Sequence, residues 1–196
     1  EIGEAPVPGR AEKLFHNIKR QVGKAVGDFE LIAEGDRIAV AVSGGKDSYL
    51  LLDILCALRK KAPIDYQLIA VNIDSGFEGY RTDIIEQHLR SRGVEFHIAA
   101  SDAYRIIEQK RRPGSSYCAF CARLRRGVLY TLAEQLGCNK IALGHHLDDF
   151  IETLLLNQFY VGTLAAMSPK LLADNGRHTV IRPLVYVEEA DIISYS

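Results

Sequence analysis

A buried strand that runs directly into a glycine turn and a helix constrains this chain more than any other feature. Residues 38–42 read Ile-Ala-Val-Ala-Val, and five consecutive small apolar residues are typical of a strand buried on both faces. Ser43, Gly44 and Gly45 end the apolar run, and a helical apolar pattern follows at once. Glycines let the backbone approach a ligand closely, and the first N–H groups of a helix attract negative charge. This stretch therefore predicts an anion-binding site.

The side chains of the same turn suit a phosphate group. Lys46 supplies a cation, Ser43 and Ser48 supply hydroxyl donors, and Asp47 can cap the helix or hold Mg²⁺. The spacing fits neither a Walker loop nor a Rossmann fingerprint. The run Ser-Gly-Gly-Lys-Asp-Ser at 43–48 instead resembles the PP-loop of the ATP pyrophosphatases, which cleave ATP between its α and β phosphates. The alternative is an ordinary tight turn with a solvated lysine, which six matched residues disfavour.

Strand and helix patterns alternate along the rest of the chain. Further strands are predicted at 67–74, 95–100, 140–144 and 179–186, the last after a hairpin turn at 174–177. Helices are predicted over 11–29, 82–92, about 122–136 and 150–159. The expected fold is a doubly wound parallel α/β sheet, in which ligands bind beyond the carboxyl ends of the strands. Residues 43–48, 74–76 and 144–149 should then converge on one crevice.

Length and composition indicate one α/β domain. The chain has 196 residues, of which 47% are hydrophobic and 25% charged. Residues 1–30 are interpreted as a tail and a basic helix, and residues 31–196 as the ATP-binding domain. No apolar run reaches the length of a membrane span, so no membrane contact is expected. Four cysteines in an α/β pattern favour reduced thiols in a cytoplasmic protein over a disulfide scaffold.

A basic segment and a cysteine pair occur together between the third and fourth strands. Residues 105–126 carry seven basic side chains and one acid, Glu108. Such a segment is either a solvated helix face or a contact for nucleic-acid phosphates. Cys118 and Cys121 are separated by two residues, which suits half a zinc site, a redox pair, iron–sulfur ligands, or two unrelated buried thiols. Cys56 and Cys138 lie in apolar surroundings away from the crevice, so neither is a convincing third ligand.

The turn after the fourth strand, Gly144 to Asp149, carries two histidines and two aspartates. Its spacing matches no closed metal motif. Asp148 and Asp149 begin a helix, where a carboxylate often serves only as a cap. At least one of the two is expected to cap the helix, and the second to face Mg²⁺-ATP.

Taken together, these segments resemble the tRNA 2-thiocytidine biosynthesis proteins, the TtcA family of PP-loop enzymes. The resemblance runs from about residue 14 to 192. It rests on SGGKDS (43–48), VNID (71–74), CAFCARLRRG (118–127), KIALGHHLDD (140–149), ETLLLNQFY (152–160) and PKLLADNGRHTVIRPLVY (169–186). The resemblance implies an adenine nucleotide α-hydrolase-like fold. It also implies an enzyme that adenylates C2 of cytidine 32 in the tRNA anticodon loop and replaces its oxygen with sulfur.

Residue roles follow from the same resemblance. Catalysis would use Lys46, Asp47 and Asp149, with Mg²⁺ at the two aspartates. The ATP site would comprise Ser43, Gly44, Gly45, Lys46, Asp47, Ser48, Ile73, Arg125, Gly144 and Asp149. Cys118 and Cys121 would bind a 4Fe-4S cluster whose third cysteine belongs to a segment beyond Ser196, so the domain is expected to be truncated at its C-terminal end.

The implied partners are tRNA, a sulfur donor system such as a cysteine desulfurase, and a second copy of the chain in a homodimer. Three alternatives remain open. A 2-thiouridine synthetase belongs to the same superfamily and is the alternative hardest to exclude. Lysidine synthetase shares the PP-loop and the His-His-x-Asp-Asp turn but has no use for the cysteine pair. A non-catalytic adenine-nucleotide binding module would need neither the paired carboxylates nor the basic, cysteine-bearing segment.

Overall fold

The computed structural model describes residues 8–74, 79–100, 117–173 and 176–196, with the backbone alone for residues 8 and 117–125. The helices and strands follow in this order: α1 (Pro8–Asp28), β1 (Arg37–Ala41), α2 (Lys46–Arg59), β2 (Gln67–Asp74), α3 (Thr82–Arg92), β3 (Glu95–Ala100), α4 (Tyr117–Gln135), β4 (Lys140–Ala142), α5 (Leu147–Leu156), a π-helical turn (Asn157–Val161), β5 (Lys170–Leu172), β6 (Thr179–Ile181) and α6 (Glu189–Tyr195).

The described strands form one six-stranded sheet in the order β3-β2-β1-β4-β6-β5. Neighbouring strands are parallel except for β5, which pairs antiparallel with β6. Strands β2 and β3 follow on one side of β1, and β4 then pairs with β1 on its other side. This reversal opens a crevice at the carboxyl ends of β1 and β4, where doubly wound folds bind ligands. The predicted α/β fold is confirmed.

Alternate residues of the central strands face two separate apolar layers. Ile38 and Val40 pack into the larger core, which α1, α2, α3 and α6 cover. Ala39 and Ile69 pack into a smaller cluster beneath α4. This alternation explains the continuous apolar run in β1, because neither face of the strand meets water. Among the described residues, no helix combines the length and apolar character that crossing a membrane requires.

Several predicted boundaries were wrong. Helix α4 begins at Tyr117 instead of near residue 122, so Cys118 and Cys121 lie inside the helix and not in a preceding loop. Helix α5 begins at Leu147, three residues earlier than predicted, because the turn before it caps the helix directly. Strand β6 ends at Ile181 instead of Tyr186, since Pro183 has no N–H to continue the ladder.

The hairpin prediction is confirmed by the antiparallel pairing of β5 with β6. The strand β5 itself was not predicted. Two residues of the predicted turn, 174 and 175, lie outside the described residues.

A buried ion pair ties β4 to the segment before β1, at the end of the sheet opposite the crevice. Lys140 Nζ lies 2.6 Å from Asp36 Oδ2 and donates to the Leu31 carbonyl at 2.8 Å. The Asn139 side-chain amide donates to Asp36 Oδ1 at 2.7 Å. Burial opposes ionisation of Asp36, but hydrogen bonds from Lys140, the Ala33 N–H and Asn139 hold its pKa below the ordinary value. Both charges of the pair are therefore satisfied inside the protein.

Replacing Lys140 with methionine should reduce the free energy of unfolding by about 3–5 kcal/mol, because it leaves a carboxylate buried without its cation. Urea denaturation of wild type and variant measures the difference. Lys24→Met is the matched control, since Lys24 pairs with Asp28 on the exposed surface of α1 and should matter far less. Equal losses of unfolding free energy in the two variants would show that the buried pair stabilises the protein no more than the exposed pair does.

Candidate active site

Hydrogen bonds within the loop shape the turn between β1 and α2. Ser48 Oγ accepts from the Ser43 N–H at 3.2 Å and donates to the Gly45 carbonyl at 2.8 Å. Gly44 has φ +86°, in the left-handed region that favours glycine, and a Cβ there would lie 3.0 Å from Ile85 Cδ1. One serine hydroxyl thus closes the loop, and one glycine permits its sharp bend.

The first turn of α2 presents unsatisfied donors to the crevice. Gly45 is the N-cap residue, and its lack of a side chain leaves α2 without a side-chain cap. Within the described residues nothing accepts a hydrogen bond from the N–H groups of Lys46 and Asp47, which begin the helix. Free N–H groups at a helix N-terminus bind phosphate or another anion. The loop therefore fits the phosphates of a nucleotide.

The turn after β4 packs directly on this helix end. A Cβ at Gly144 would lie 3.3 Å from the carbonyl carbon and oxygen of Asp47 and 3.4 Å from the Ser48 nitrogen. These are backbone atoms, which cannot move aside as a flexible side chain can. Glycine at position 144 is what allows the two loops to meet.

Both aspartates of that turn cap helices. Asp149 Oδ2 accepts from the His146 N–H at 2.8 Å, at the start of its own helix α5. Asp148 Oδ2 accepts from the Glu189 N–H at 2.7 Å, at the start of α6. The expectation that at least one of the two would cap a helix is confirmed. The second cap belongs to a helix 41 residues away, which local sequence cannot reveal.

An apolar cavity of about 360 Å³ lies beside the loop, between the strand ends and α4. Its apolar lining comprises Ala41, Val42, Val71, Ile73, Leu129 and Leu143, and its polar lining comprises Ser43, Tyr80, Arg126, Tyr130 and His145. Mostly apolar clefts with a few polar groups are typical of small-molecule sites. Its size and its contact with Ser43 suit an adenine base and ribose next to the phosphate loop.

A buried asparagine and a half-buried tyrosine support the wall between the cavity and the loop. The Asn72 side-chain amide, fully buried, donates to the Val42 carbonyl at 2.7 Å and to the Tyr80 hydroxyl at 2.7 Å. The Tyr80 hydroxyl donates to the Ser43 carbonyl at 3.2 Å. Both residues therefore satisfy carbonyl groups where β1 stops pairing, and they hold the backbone of the loop in place.

His145 presents a neutral ring to the cavity. Arg182 Nε donates to His145 Nδ1 at 3.3 Å, which leaves the ring proton on Nε2. Burial, followed by the positive charge of Arg182, lowers the pKa of His145 below the ordinary 6.5. The imidazole is therefore a hydrogen-bond donor at neutral pH without carrying a charge.

The structure brings most of the predicted site residues to one crevice. Those are Ser43, Gly44, Gly45, Lys46, Asp47, Ser48, Ile73, Gly144 and Asp149. Arg125, Cys118 and Cys121 lie on α4, and their side chains are outside the described atoms. The neighbouring Arg126 lines the cavity, although the sequence analysis assigned it only to the basic segment. His145, Arg182 and Glu189 were not predicted as site residues, because their placement depends on contacts between distant segments.

The cysteines whose side chains are described lie away from the crevice. Cys138 is buried just before β4, at the opposite end of the sheet. Cys56 is half-buried on α2 beside the larger core. Across the residues whose side chains are described, no group of three or more His, Cys, Asp and Glu side chains is arranged to hold a metal ion.

Comparison with known proteins decides the family. The PP-loop domain family matches residues 14–196. The tRNA-cytidine(32) 2-sulfurtransferase of Syntrophotalea carbinolica is 70% identical over 94% of this chain and 71% of its own length. The enzyme of that name from Geobacter metallireducens is 67% identical over 94% of this chain and 72% of its own length. The chain belongs to the tRNA-cytidine(32) 2-sulfurtransferase family.

Solved structures with the same fold agree with this placement. The U34-tRNA thiolase NcsA from Methanococcus maripaludis, with its 4Fe-4S cluster, has a TM-score of 0.75 and 26% identity. That match covers 94% of this chain and 63% of NcsA, so the chain spans less than two thirds of the archaeal thiolase. An ammonia-dependent NAD synthetase from Campylobacter jejuni, at 14% identity and a TM-score of 0.55, shares the fold alone; the match covers 94% of this chain and 71% of the synthetase.

The neutral state of the half-buried His145 predicts that the stability of the protein depends on pH. Because its pKa is lowered in the folded state, the unfolded chain binds the proton first, and the free energy of unfolding should fall as pH drops below 6.5. His145→Gln should lose less stability than wild type between pH 7.5 and 5.5, measured by urea denaturation at each pH. His88, whose pKa is also lowered, contributes equally to both proteins. Parallel curves would contradict the prediction.

Proposed function

We propose that this protein is an ATP-dependent tRNA thiolase that converts cytidine 32 of the anticodon loop to 2-thiocytidine. The observation that carries the proposal is the 70% identity to a tRNA-cytidine(32) 2-sulfurtransferase. The crevice supports it, because a phosphate-binding loop, an apolar cavity and a carboxylate-bearing turn meet at the carboxyl ends of β1 and β4.

The chemistry requires activation by ATP, because the C2 oxygen of cytidine is a poor leaving group. Attack of that oxygen on the α-phosphorus of ATP breaks the bond to the β-phosphate and releases pyrophosphate. A sulfur nucleophile then attacks C2, and the oxygen leaves with AMP. In this scheme the free N–H groups at the start of α2 and the Lys46 ammonium stabilise charge on the phosphates.

Asp47 and Asp149 are the proposed holders of Mg²⁺. Mg²⁺ is commonly bound by one or two carboxylates together with phosphate oxygens. Asp47 belongs to the first turn of α2, and Asp149 uses one carboxylate oxygen as a cap, which leaves the other available among the described contacts. Ile73 in the cavity wall and Arg125 on α4 are proposed to contact the nucleotide.

Cys118 and Cys121 are proposed to ligate a 4Fe-4S cluster. They are separated by two residues, a spacing that occurs among iron–sulfur ligands. When bound, such a cluster supplies an iron position at which sulfur can be held for transfer. NcsA, which has the same fold, has a cluster of this type. The third ligand, and a cysteine desulfurase as the sulfur source, remain part of the proposal.

Substrate and location follow from the same reasoning. The seven basic residues between 105 and 126 would contact tRNA phosphates; of these, the side chain of Arg126 is described, and it lines the cavity. Thiolate ligands need a reducing compartment, which favours the cytoplasm.

A uridine-34 thiolase is the second candidate function, because NcsA shares the fold. The 26% identity between NcsA and this chain is far below the 70% identity of the cytidine enzyme.

The experiment is anaerobic reconstitution with iron and sulfide, followed by assay of thiolated nucleosides in unmodified tRNA. Wild type should form 2-thiocytidine only when ATP and Mg²⁺ are present. Lys46→Ala should lose thiolation by about 100-fold or more while keeping its iron, because charge stabilisation on the phosphates is lost. Cys118→Ser should lose iron and thiolation while still binding ATP.

The role of the PP-loop, the cluster and the target nucleoside can each be contradicted by one result. Wild-type thiolation by Lys46→Ala would remove the PP-loop from the mechanism. One equivalent of zinc without iron, together with full thiolation, would exclude the cluster. Thiouridine in place of thiocytidine would establish the second candidate.

We also propose that the protein forms a homodimer through an apolar surface after α5. Phe159, Tyr160 and Leu164 are 76%, 84% and 82% exposed, although large apolar side chains are usually covered. The edge strand β5 lies in the same stretch of chain and exposes Leu171 and Leu172. A second copy of the chain would cover both features.

Sedimentation equilibrium tests the dimer. Tyr160→Glu combined with Leu164→Glu should raise the dimer dissociation constant by at least tenfold, since a charge would be buried at the contact. Ile84→Glu is the control, because Ile84 is a half-exposed apolar residue on α3, outside this surface. A monomeric wild type, or equal effects of the two changes, would reject the surface.

A further inference from the structure

Glu189 contacts the lysine of the phosphate loop from the last helix of the chain. Lys46 Nζ lies 2.8 Å from Glu189 Oε1 and 3.1 Å from Asp47 Oδ1. An ammonium group has three N–H donors. Two of them are directed at carboxylates, which leaves the third for another acceptor. Lys46 is therefore already held between two anions before any phosphate arrives.

The backbone of Glu189 is itself fixed to the turn after β4. Its N–H donates to Asp148 Oδ2 at 2.7 Å, and the Leu147 N–H donates to the Val187 carbonyl at 2.9 Å. Ile192, one turn further along α6, is fully buried in the larger core. The Glu189 carboxylate thus extends from an anchored helix, while a lysine side chain alone would sample many rotamers.

We infer that Glu189 is a positioning residue for Lys46, holding the ammonium group where it meets the phosphates of ATP. The inference rests on the proposed function only in taking ATP as the ligand. Ordering a flexible side chain costs binding free energy, and a contact that orders it beforehand removes this cost from the binding step. Asp148 contributes indirectly, because it caps the helix that carries Glu189.

A competing role for Glu189 makes the opposite prediction. If its carboxylate merely occupied the place of a phosphate, ATP would have to displace it, and removing the charge would tighten binding. If instead Glu189 positions Lys46, removing it should weaken binding. The sign of the change in ATP affinity therefore separates the two roles.

The experiment is calorimetric titration of the protein with ATP in the presence of Mg²⁺. Glu189→Ala should raise the dissociation constant about tenfold, because Lys46 then pays its ordering entropy on binding. Glu189→Gln keeps an oxygen that accepts from Lys46 and should lose only about threefold. Glu188→Gln is the matched control, since the neighbouring Glu188 is exposed and makes no side-chain cap, so affinity should not change.

A double-mutant cycle distinguishes positioning from a structural role of α6. In a Lys46→Ala background, Glu189→Ala should have no further effect on ATP affinity, because the residue it positions is gone. Unchanged or tighter binding by Glu189→Ala would overturn the inference. A loss that persists without Lys46 would assign Glu189 to helix stability and overturn it as well.

These results are separable from failure of the proposed function. Binding of ATP needs neither tRNA nor a cluster, so a protein that binds ATP but forms no thiocytidine would reject the function and leave this test intact. A wild type that binds no ATP would overturn both. Thermal unfolding of each variant confirms that affinities are compared between folded proteins.

Discussion

The contact between Gly144 and the first turn of α2 is the constraint on which the crevice depends. Strands β1 and β4 are neighbours, with Val40 opposite Ala142, so the loops that follow them leave the sheet side by side. Position 144 has no side chain, and a Cβ there would lie 3.3 Å from the Asp47 carbonyl group. A methyl group would therefore crowd the backbone of α2 and push the two loops apart by a few tenths of an ångström. The phosphate loop and the turn that carries His145 and Asp149 meet across this backbone contact.

Many polar side chains around the site form hydrogen bonds with backbone groups. Ser48 closes its own loop, and Asn72 and Tyr80 satisfy the carbonyls at the end of β1. Asp148 and Asp149 cap α6 and α5. Among the described residues, the first N–H groups of α2 lack such a partner, because Gly45 has no side chain to cap the helix. They therefore remain available to an anion.

Local sequence predicted the parts of the fold that depend on local forces. The apolar run of β1, the bend at Gly44 and the start of α2 all follow from periodicity and backbone preference. The alternation of strands and helices was enough to place the loops after β1 and β4 at one edge of the sheet, whereas residues 75 and 76 of the third predicted loop lie outside the described residues. These features account for the fold class and for the position of the phosphate loop.

What local sequence could not predict are contacts between distant segments. Glu189 is 143 residues from Lys46, and Arg182 is 37 residues from His145. Nothing in the pattern of a seven-residue helix such as α6 indicates which of its two neighbouring glutamates faces the site. That choice is made by the buried Ile192 and by the cap from Asp148, and both require the assembled core.

The balance of charge around Lys46 favours the proposed Mg²⁺. Pairing with Glu189, helped by Asp47, raises the pKa of Lys46, and the same pairing lowers the pKa of Glu189, so both groups stay charged at neutral pH. One ammonium group therefore faces two carboxylates, with Asp148 hydrogen-bonded to the backbone of Glu189. The phosphates of ATP would add further negative charge beside Lys46, which is already paired on two sides. A helix N-terminus offsets only about half a unit charge. If the nucleotide enters with Mg²⁺, as proposed, the ion would bring positive charge with it, and the Asp47 carboxylate would serve as a ligand where it would otherwise repel the phosphates.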